Sequence, residues 1–131
     1  MNKTTIKRIA LVFAALAFLA VAWAQAQDAK PFLGSWKGTL SIAGMELEMR
    51  VTFSLDESSQ LKGTIDIITQ GAVGIPLGNI EIKDKAITFM IDHPNVPGEP
   101  TFKGTLDDAG KKISGEFTQS GYAGTFSLDK E

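Results

Sequence analysis

The chain has 131 residues, no cysteine, and 15 acidic side chains against 13 basic ones. Without cysteine there is no disulfide framework and no thiol to carry a lipid anchor. The acidic balance argues against nucleic acids and anionic lipid headgroups as partners, since both require basic patches. A chain of this length, less a leader, forms one ordinary domain with a single core.

The first 26 residues have the order of features typical of a secretory signal peptide. Basic residues up to Arg8 precede an almost wholly apolar run over 9–22, and Ala-x-Ala sites then end at Ala24 and Ala26. The apolar run is shorter than the ~20 residues of a membrane-spanning helix. We therefore expect cleavage, after Ala26 in preference to Ala24, and an exported protein, periplasmic or secreted, with no membrane span. The mature part, 27–131, would be one β-barrel domain.

From Leu33 onward, apolar residues alternate with polar ones, which is typical of strands with one buried face. Residues 27–31 are predicted to be a short polar lead-in, and no mature segment has helical spacing. Eight strands are predicted, with their apolar residues in the ranges 36–42, 47–55, 61–67, 80–82, 87–91, 102–106, 113–117 and 122–128.

Most connections between these strands are short and carry turn residues, as at Ala43-Gly44 and Ser120-Gly121. Two are longer: a glycine-rich apolar connection over 70–78 and a proline-rich, irregular loop over 94–100. Successive hairpins predict an all-β, antiparallel, up-and-down barrel of the lipocalin or avidin kind, closed or nearly closed so that no edge is exposed. A two-sheet sandwich is the alternative.

A five-fold pattern supports closure: an apolar residue, any residue, glycine, any residue and a second apolar residue. In each copy the glycine shares the buried face with the apolar residues. Glycine within a strand costs about 0.5–1 kcal/mol relative to alanine, so close approach of neighbouring strands or sharp strand coiling must require it. These glycines are Gly38, Gly63, Gly104, Gly115 and Gly124.

The apolar face leaves open whether the barrel interior is filled or hollow. Barrels of eight strands are either packed with side chains or hold one small ligand. Inward glycines remove bulk, and walls of methionine and aromatic residues suit an apolar guest. The side chains predicted to point inward are those of Trp36, Met49, Phe53, Phe89, Phe102, Phe117, Tyr122 and Phe126.

Catalytic chemistry has little support in the sequence. The only histidine is His93, between Asp92 and Pro94, and no Gly-x-Ser-x-Gly motif occurs. Asp92, His93 and Glu99 lack the fixed spacing of a metal site. We expect a protein without catalytic residues, metal or cofactor.

Three segments carry a resemblance to a known family. The matching segments are the run Thr-Gln-Gly-Ala-Val-Gly-Ile-Pro-Leu over 69–77, the run Gly-Ser-Trp-Lys-Gly-Thr-Leu over 34–40, and the pair Ile113-Ser-Gly and Gln119-Ser-Gly. Together they resemble the N-terminal non-catalytic β-domain of secreted bacterial α/β-hydrolases over about 33–128. Those enzymes continue into a catalytic domain where this chain stops at Glu131, so the resemblance implies a stand-alone β-domain without the active site. The Gly-x-Trp opening is also similar to that of lipocalins.

The resemblance favours a non-catalytic binding or accessory domain that serves a partner hydrolase, with 73–77 as an exposed docking patch. The alternative is a carrier that binds a small apolar ligand inside the barrel. In the glycine-rich segment, the Gln70 amide would satisfy buried backbone groups, and the segment could be a lid, a docking surface or a plug. The residues predicted to bind ligand or partner are Trp36, Met49, Gln70, Ile75, Phe89 and Tyr122.

Overall fold

The computed structural model describes residues 29–131, so the predicted leader and its cleavage sites lie outside the described part. Within it, eight antiparallel strands follow one another around a closed barrel, and β1 pairs with both β2 and β8. The predicted up-and-down barrel is confirmed, and the sandwich alternative is wrong. The strands are β1 (Gly34–Ile42), β2 (Met45–Leu55), β3 (Leu61–Ile67), β4 (Ala72–Lys83), β5 (Ala86–Ile91), β6 (Thr101–Leu106), β7 (Lys112–Gln119) and β8 (Tyr122–Lys130).

The alternating apolar residues meet inside the barrel and form one core. Its centre is a group of aromatic rings: Phe89 stacks on Phe102 with ring centroids 4.8 Å apart, and Phe126 meets Phe102 edge-on at 5.1 Å. Among the described residues, no polar or charged side chain is buried. Burial of these rings removes a large apolar area from water and so stabilises the core.

One end of the barrel is closed by the residues that precede β1. Lys30–Phe32 forms a 3₁₀ turn, and both Ala29 and Phe32 are fully buried. The Trp36 indole Nε1–H donates a hydrogen bond of 2.8 Å to the Phe32 carbonyl oxygen. Within the predicted polar lead-in, Lys30 and Pro31 are exposed and Ala29 is buried, and Phe32, the residue that follows it, belongs to the core. We call this end the plugged end, and the opposite end, where 42–46, 68–74, 91–101 and 118–123 lie, the rim.

The inward glycines allow neighbouring strands to approach closely. At Gly38, Gly115 and Gly124, a Cβ atom would collide with backbone of the adjacent strand. At the other two positions a Cβ would meet packed side chains instead. It would lie 2.9 Å from Leu77 Cδ1 at Gly63, and 2.8 Å from Phe126 Cζ at Gly104. Neighbouring atoms therefore fill the space that these glycines leave.

Strand β4 differs from prediction, because most of the connection expected over 70–78 belongs to it. A second 3₁₀ turn, Ile68–Gln70, ends at Gly71, whose φ of 69° is left-handed. The strand then begins at Ala72 and continues through the glycines and proline to Lys83.

Two bulges explain why the alternation fails in β4. Ile67 is in register with Ala72 and Ile65 with Ile75, so that two β4 residues face one β3 residue. Gly74, at φ 69°, is one of these two β4 residues. The register shifts again on the β5 side after Gly78, where Asn79 has φ 48°. Each bulge moves the inward face by one position, and a period-two pattern cannot persist through either.

Candidate functional site

Three of the predicted binding residues lie together in the core. Trp36, Met49 and Phe89 are fully buried. Phe89 contacts Phe53 edge-on, with ring centroids 5.5 Å apart, in addition to its stacking on Phe102. At these positions the barrel interior is occupied by its own side chains.

The other three predicted binding residues lie towards the rim. Ile75 is half-buried and packs against the core. Gln70 is exposed, so its predicted role among buried backbone groups is wrong. The turn is held instead by Thr69, whose Oγ1 accepts a hydrogen bond of 2.7 Å from the Glu48 N–H. Tyr122 is 64% exposed, which contradicts its predicted inward position. It has the inward parity but lies opposite Gln119 at the hairpin end, beyond the core.

The barrel wall is incomplete between β3 and β4. Register pairs join the two strands only from Ile67 with Ala72 to Thr64 with Pro76. Towards the plugged end, residues 61–63 of β3 do not pair with residues 77–83 of β4. A bulged strand bends away from its neighbour, and in this half β4 follows β5 alone. The main-chain groups on the facing edges are left without a ladder partner.

A cleft occupies this gap in the wall. It consists of two adjoining pockets of about 420 Å³ each, both open to solvent, and both include Leu61 and Ile80. Each volume lies within the range of ligand pockets, about 300–1,000 Å³. We call the pair the wall cleft. Its lining residues are Thr52, Ser54, Leu61, Lys62, Gly63, Thr64, Pro76, Leu77, Gly78, Asn79, Ile80, Glu81, Ile82, Lys83, Ala86 and Thr88.

The wall cleft combines an apolar floor with polar edges. Leu61, Leu77 and Ile80 are half-buried and pack against the core. Hydroxyl groups of Thr52 and Thr64, together with the unpartnered main-chain edges, supply hydrogen-bonding groups around that floor. Such a lining suits a molecule with an apolar body and a few hydrogen-bonding atoms.

A second surface lies at the rim. In the described part of the chain, all four large hydrophobic side chains that are exposed are found there: Met45, Ile68, Val73 and Tyr122. They follow the arc β8–β1–β2–β3–β4, whose strands are consecutive neighbours. A shallow depression of about 290 Å³ lies in the same arc, with residues 41–46 and Ala123 around it. We call this surface the apolar rim.

The proline-rich loop between β5 and β6 lies outside this arc. Gln119 donates a hydrogen bond of 2.9 Å to the Pro97 carbonyl oxygen, and the Ser120 N–H donates one of 3.2 Å to that of Gly98. Within the loop, His93 Nδ1 accepts a hydrogen bond of 3.1 Å from the Asn95 N–H. Over residues 29–131, no group of three or more His, Asp or Glu side chains is placed to hold a metal ion.

Sequence reasoning missed most residues of both surfaces. Leu61 and Ile80 were predicted only as core positions, and Met45 and Ile68 carried no prediction. Val73 lies in the predicted patch over 73–77 and is 79% exposed. The available signal was the loss of alternation over 72–80, which marks the bulged strand beside the wall cleft.

Comparison with known proteins supports the fold. No protein-family model matches this chain, and neither does any curated protein. Among solved structures, the chain is similar to EF1p2_mFAP2b bound to DFHBI, with a TM-score of 0.51 and 15% sequence identity, over 82% of this chain and 99% of that one. The similarity is one of lipocalin-like barrel architecture. In the part of the chain that the structure describes, no helix is long and apolar enough to cross a membrane.

Proposed function

We propose that this is an exported, non-catalytic binding protein that takes one small, mainly apolar molecule in the wall cleft. The observation that carries the proposal is the gap between β3 and β4, where two adjoining cavities expose the edge of the core. The packed interior around Trp36 and Phe89 favours this location over the centre of the barrel. EF1p2_mFAP2b, a barrel of similar fold, was solved bound to the small molecule DFHBI, so the architecture is compatible with such a site.

The cleft lining specifies the chemistry of the ligand. An apolar body would cover Leu61, Leu77 and Ile80, which otherwise remain partly exposed to water. Hydrogen-bonding atoms along one edge of the ligand would pair with the main-chain groups that β3 and β4 do not satisfy in each other. Export remains part of the proposal, and the intact mass of the purified protein tests it: the chain is expected to begin at Gln27 or Gln25.

A bulky side chain at the cleft tests the ligand site. Thr64 is exposed and lines the cleft, so Thr64→Trp should fill it without disturbing the core. Binding of the fluorescent apolar probe 1-anilinonaphthalene-8-sulfonate should weaken at least about tenfold, which corresponds to ~1.4 kcal/mol. Thr118→Trp is the matched control, because Thr118 is an exposed residue of β7 outside the cleft.

Two outcomes would contradict the ligand proposal. Equal probe binding by the two tryptophan variants would place the probe elsewhere. The second outcome combines two observations: native mass spectrometry of the protein from its own compartment detects no extra mass, and the unmodified chain does not bind the probe. Together they would contradict the proposal that the protein binds a ligand.

A second candidate function is that of an accessory domain for a secreted α/β-hydrolase, as the resemblance implies. What favours it is Val73, exposed at the head of β4 within the matching segment. Val73→Asp should abolish binding to a secreted hydrolase of the same organism in a calorimetric titration. Ile75 is unsuitable for this test because it packs against the core. Unchanged binding by Val73→Asp would exclude this segment as the contact.

A further inference from the structure

The apolar rim differs from the rest of the surface in its hydrophobic content. Single exposed hydrophobic residues are ordinary on a protein surface. Here Met45, Ile68, Val73 and Tyr122 all lie at one end of the barrel and along one arc of it. Exposed apolar side chains gathered in this way indicate a surface that a partner covers.

The arc is held by the fold. Met45 lies at the start of β2 in register with Ile42, which is also in register with Gly124 of β8. On the other side, the Glu48 N–H bond to Thr69 Oγ1 attaches the second 3₁₀ turn to β2. The depression at the β1–β2 hairpin therefore lies between two fixed elements, and the partner would meet a preformed surface.

Charge separates the two ends of the barrel. The four rim segments contain no lysine or arginine, but they contain Glu46, Asp92 and Glu99. The plugged end differs: lysines and carboxylates occur together there, as in the Lys85–Asp108 pair. Of these carboxylates, Glu46 lies on the arc, at the depression, and the loop with Asp92 and Glu99 lies outside it. An apolar surface beside Glu46, at an end whose segments lack basic side chains, favours a cationic partner and disfavours an acidic one. A second copy would bring like charges together, and an anionic membrane would be repelled.

We propose that the apolar rim docks a protein segment whose apolar face is flanked by lysine or arginine. The inference concerns a different surface from the wall cleft and does not depend on a ligand there. A hydrolase that docks here would have to present such an apolar face flanked by basic residues.

Three designed helical peptides with identical leucine and phenylalanine positions test the proposal. Their polar positions are all lysine, all glutamine or all glutamate, and fluorescence anisotropy gives the Kd of each for the mature protein. The lysine peptide should bind at least about tenfold more tightly than the glutamate peptide, and the difference should shrink when salt is raised from 0.05 to about 0.5 M. Tyr122→Ser should weaken all three.

Charge reversal at matched positions locates the contact. Glu46→Lys, at the depression, should weaken the lysine peptide at least about fivefold, whereas Glu57→Lys, an exposed carboxylate in the β2–β3 turn, should leave it unchanged. The cleft-filling Thr64→Trp should also leave peptide binding unchanged, which separates this inference from the ligand proposal.

Four outcomes would overturn the inference. They are equal binding of the three peptides, equal effects of the two charge reversals, a dimer in sedimentation equilibrium that Tyr122→Ser abolishes, and binding to vesicles with one-third anionic lipid. The first two would make the contact non-specific. The third would assign the surface to a second copy of the chain, and the fourth to a membrane.

Discussion

The two sides of the barrel wall are built differently. Strands β7 and β8 stay in register over eight consecutive pairs, from Lys112 with Asp129 to Gln119 with Tyr122, whereas β3 and β4 share only three. The regular side packs its alternating side chains into the core, and its ladder is continuous. The irregular side contains two bulges and the wall cleft. In this molecule, regular pairing stabilises the barrel, and interrupted pairing creates the surface that we propose as a ligand site.

The largest expected effect comes from breaking the regular side. In Gly38→Val the new side chain would collide with backbone of Ser127 in β8, which no rotamer change can relieve. We expect a loss of at least ~3 kcal/mol in the free energy of unfolding, measured by urea denaturation. Thr39→Val, an exposed neighbour in the same strand, is the control and should unfold like the unmodified protein. A stable Gly38→Val barrel would show that β1 and β8 can separate.

Truncation in the core should exceed truncation in the wall cleft. Phe89→Ala removes a fully buried ring and should cost about 3–5 kcal/mol. Leu77→Ala, in the half-buried floor of the cleft, should cost about 1–2 kcal/mol. Equal losses in denaturant unfolding would mean that the cleft floor is as tightly packed as the aromatic core.

A smaller effect is expected at the first bulge. The Gly74 N–H donates a hydrogen bond of 2.7 Å to Asp66 Oδ1. Asp66→Ala removes this acceptor and should cost about 1 kcal/mol. Hydrogen exchange at Gly74 should accelerate, while exchange in β7 and β8 should change only by the global loss of stability. Uniform acceleration throughout the barrel would show that the irregular side does not open independently.

The smallest effect concerns a turn on the regular side. Asp107 Oδ1 accepts hydrogen bonds from the N–H groups of Lys111, at 2.8 Å, and Lys112, at 3.2 Å, and the pKa of this carboxyl lies below its usual value chiefly because of the bond from Lys111. A depressed pKa stabilises the folded state above the unfolded pKa of about 4, and that contribution disappears as pH falls through the folded pKa. Asp107→Asn should therefore lower the thermal midpoint at pH 7 and make little difference near pH 2. If the thermal midpoints of the variant and the unmodified protein differed equally at pH 7 and pH 2, the charge of Asp107 would not be the cause of the stabilisation.

Prediction from sequence followed the same division between the two sides. Alternation in β7 and β8 is undisturbed, so their strands and the reason for Gly115 and Gly124 could be inferred directly. In β4 the left-handed residues Gly74 and Asn79 each shift the inward face by one position, and composition alone indicated a loop. The prediction for Tyr122 was wrong for another reason. Alternation tells on which face of a strand a residue lies, but not where along the barrel axis the core ends.

The candidate surfaces were harder to predict than the fold. The wall cleft depends on which residues of β3 and β4 stay in register, and a change of one residue in either bulge would move it. The apolar rim depends on three connections, β1–β2, β3–β4 and β7–β8, which are distant in sequence and meet only after closure. Neither property is encoded in a local pattern. The predicted docking patch therefore contained Val73 and missed Met45.

Closure of the ring through β1 and β8 also affects how the chain folds. The pairs from Trp36 with Lys130 to Ile42 with Gly124 join the first strand to the last, and the Glu131 N–H donates to the Ser35 carbonyl oxygen beside them. A growing chain lacks this wall until β8 is made, and contacts so distant in sequence form slowly. The barrel therefore cannot close before β8 is present, and until then β1 keeps an open edge on the side that β8 later covers.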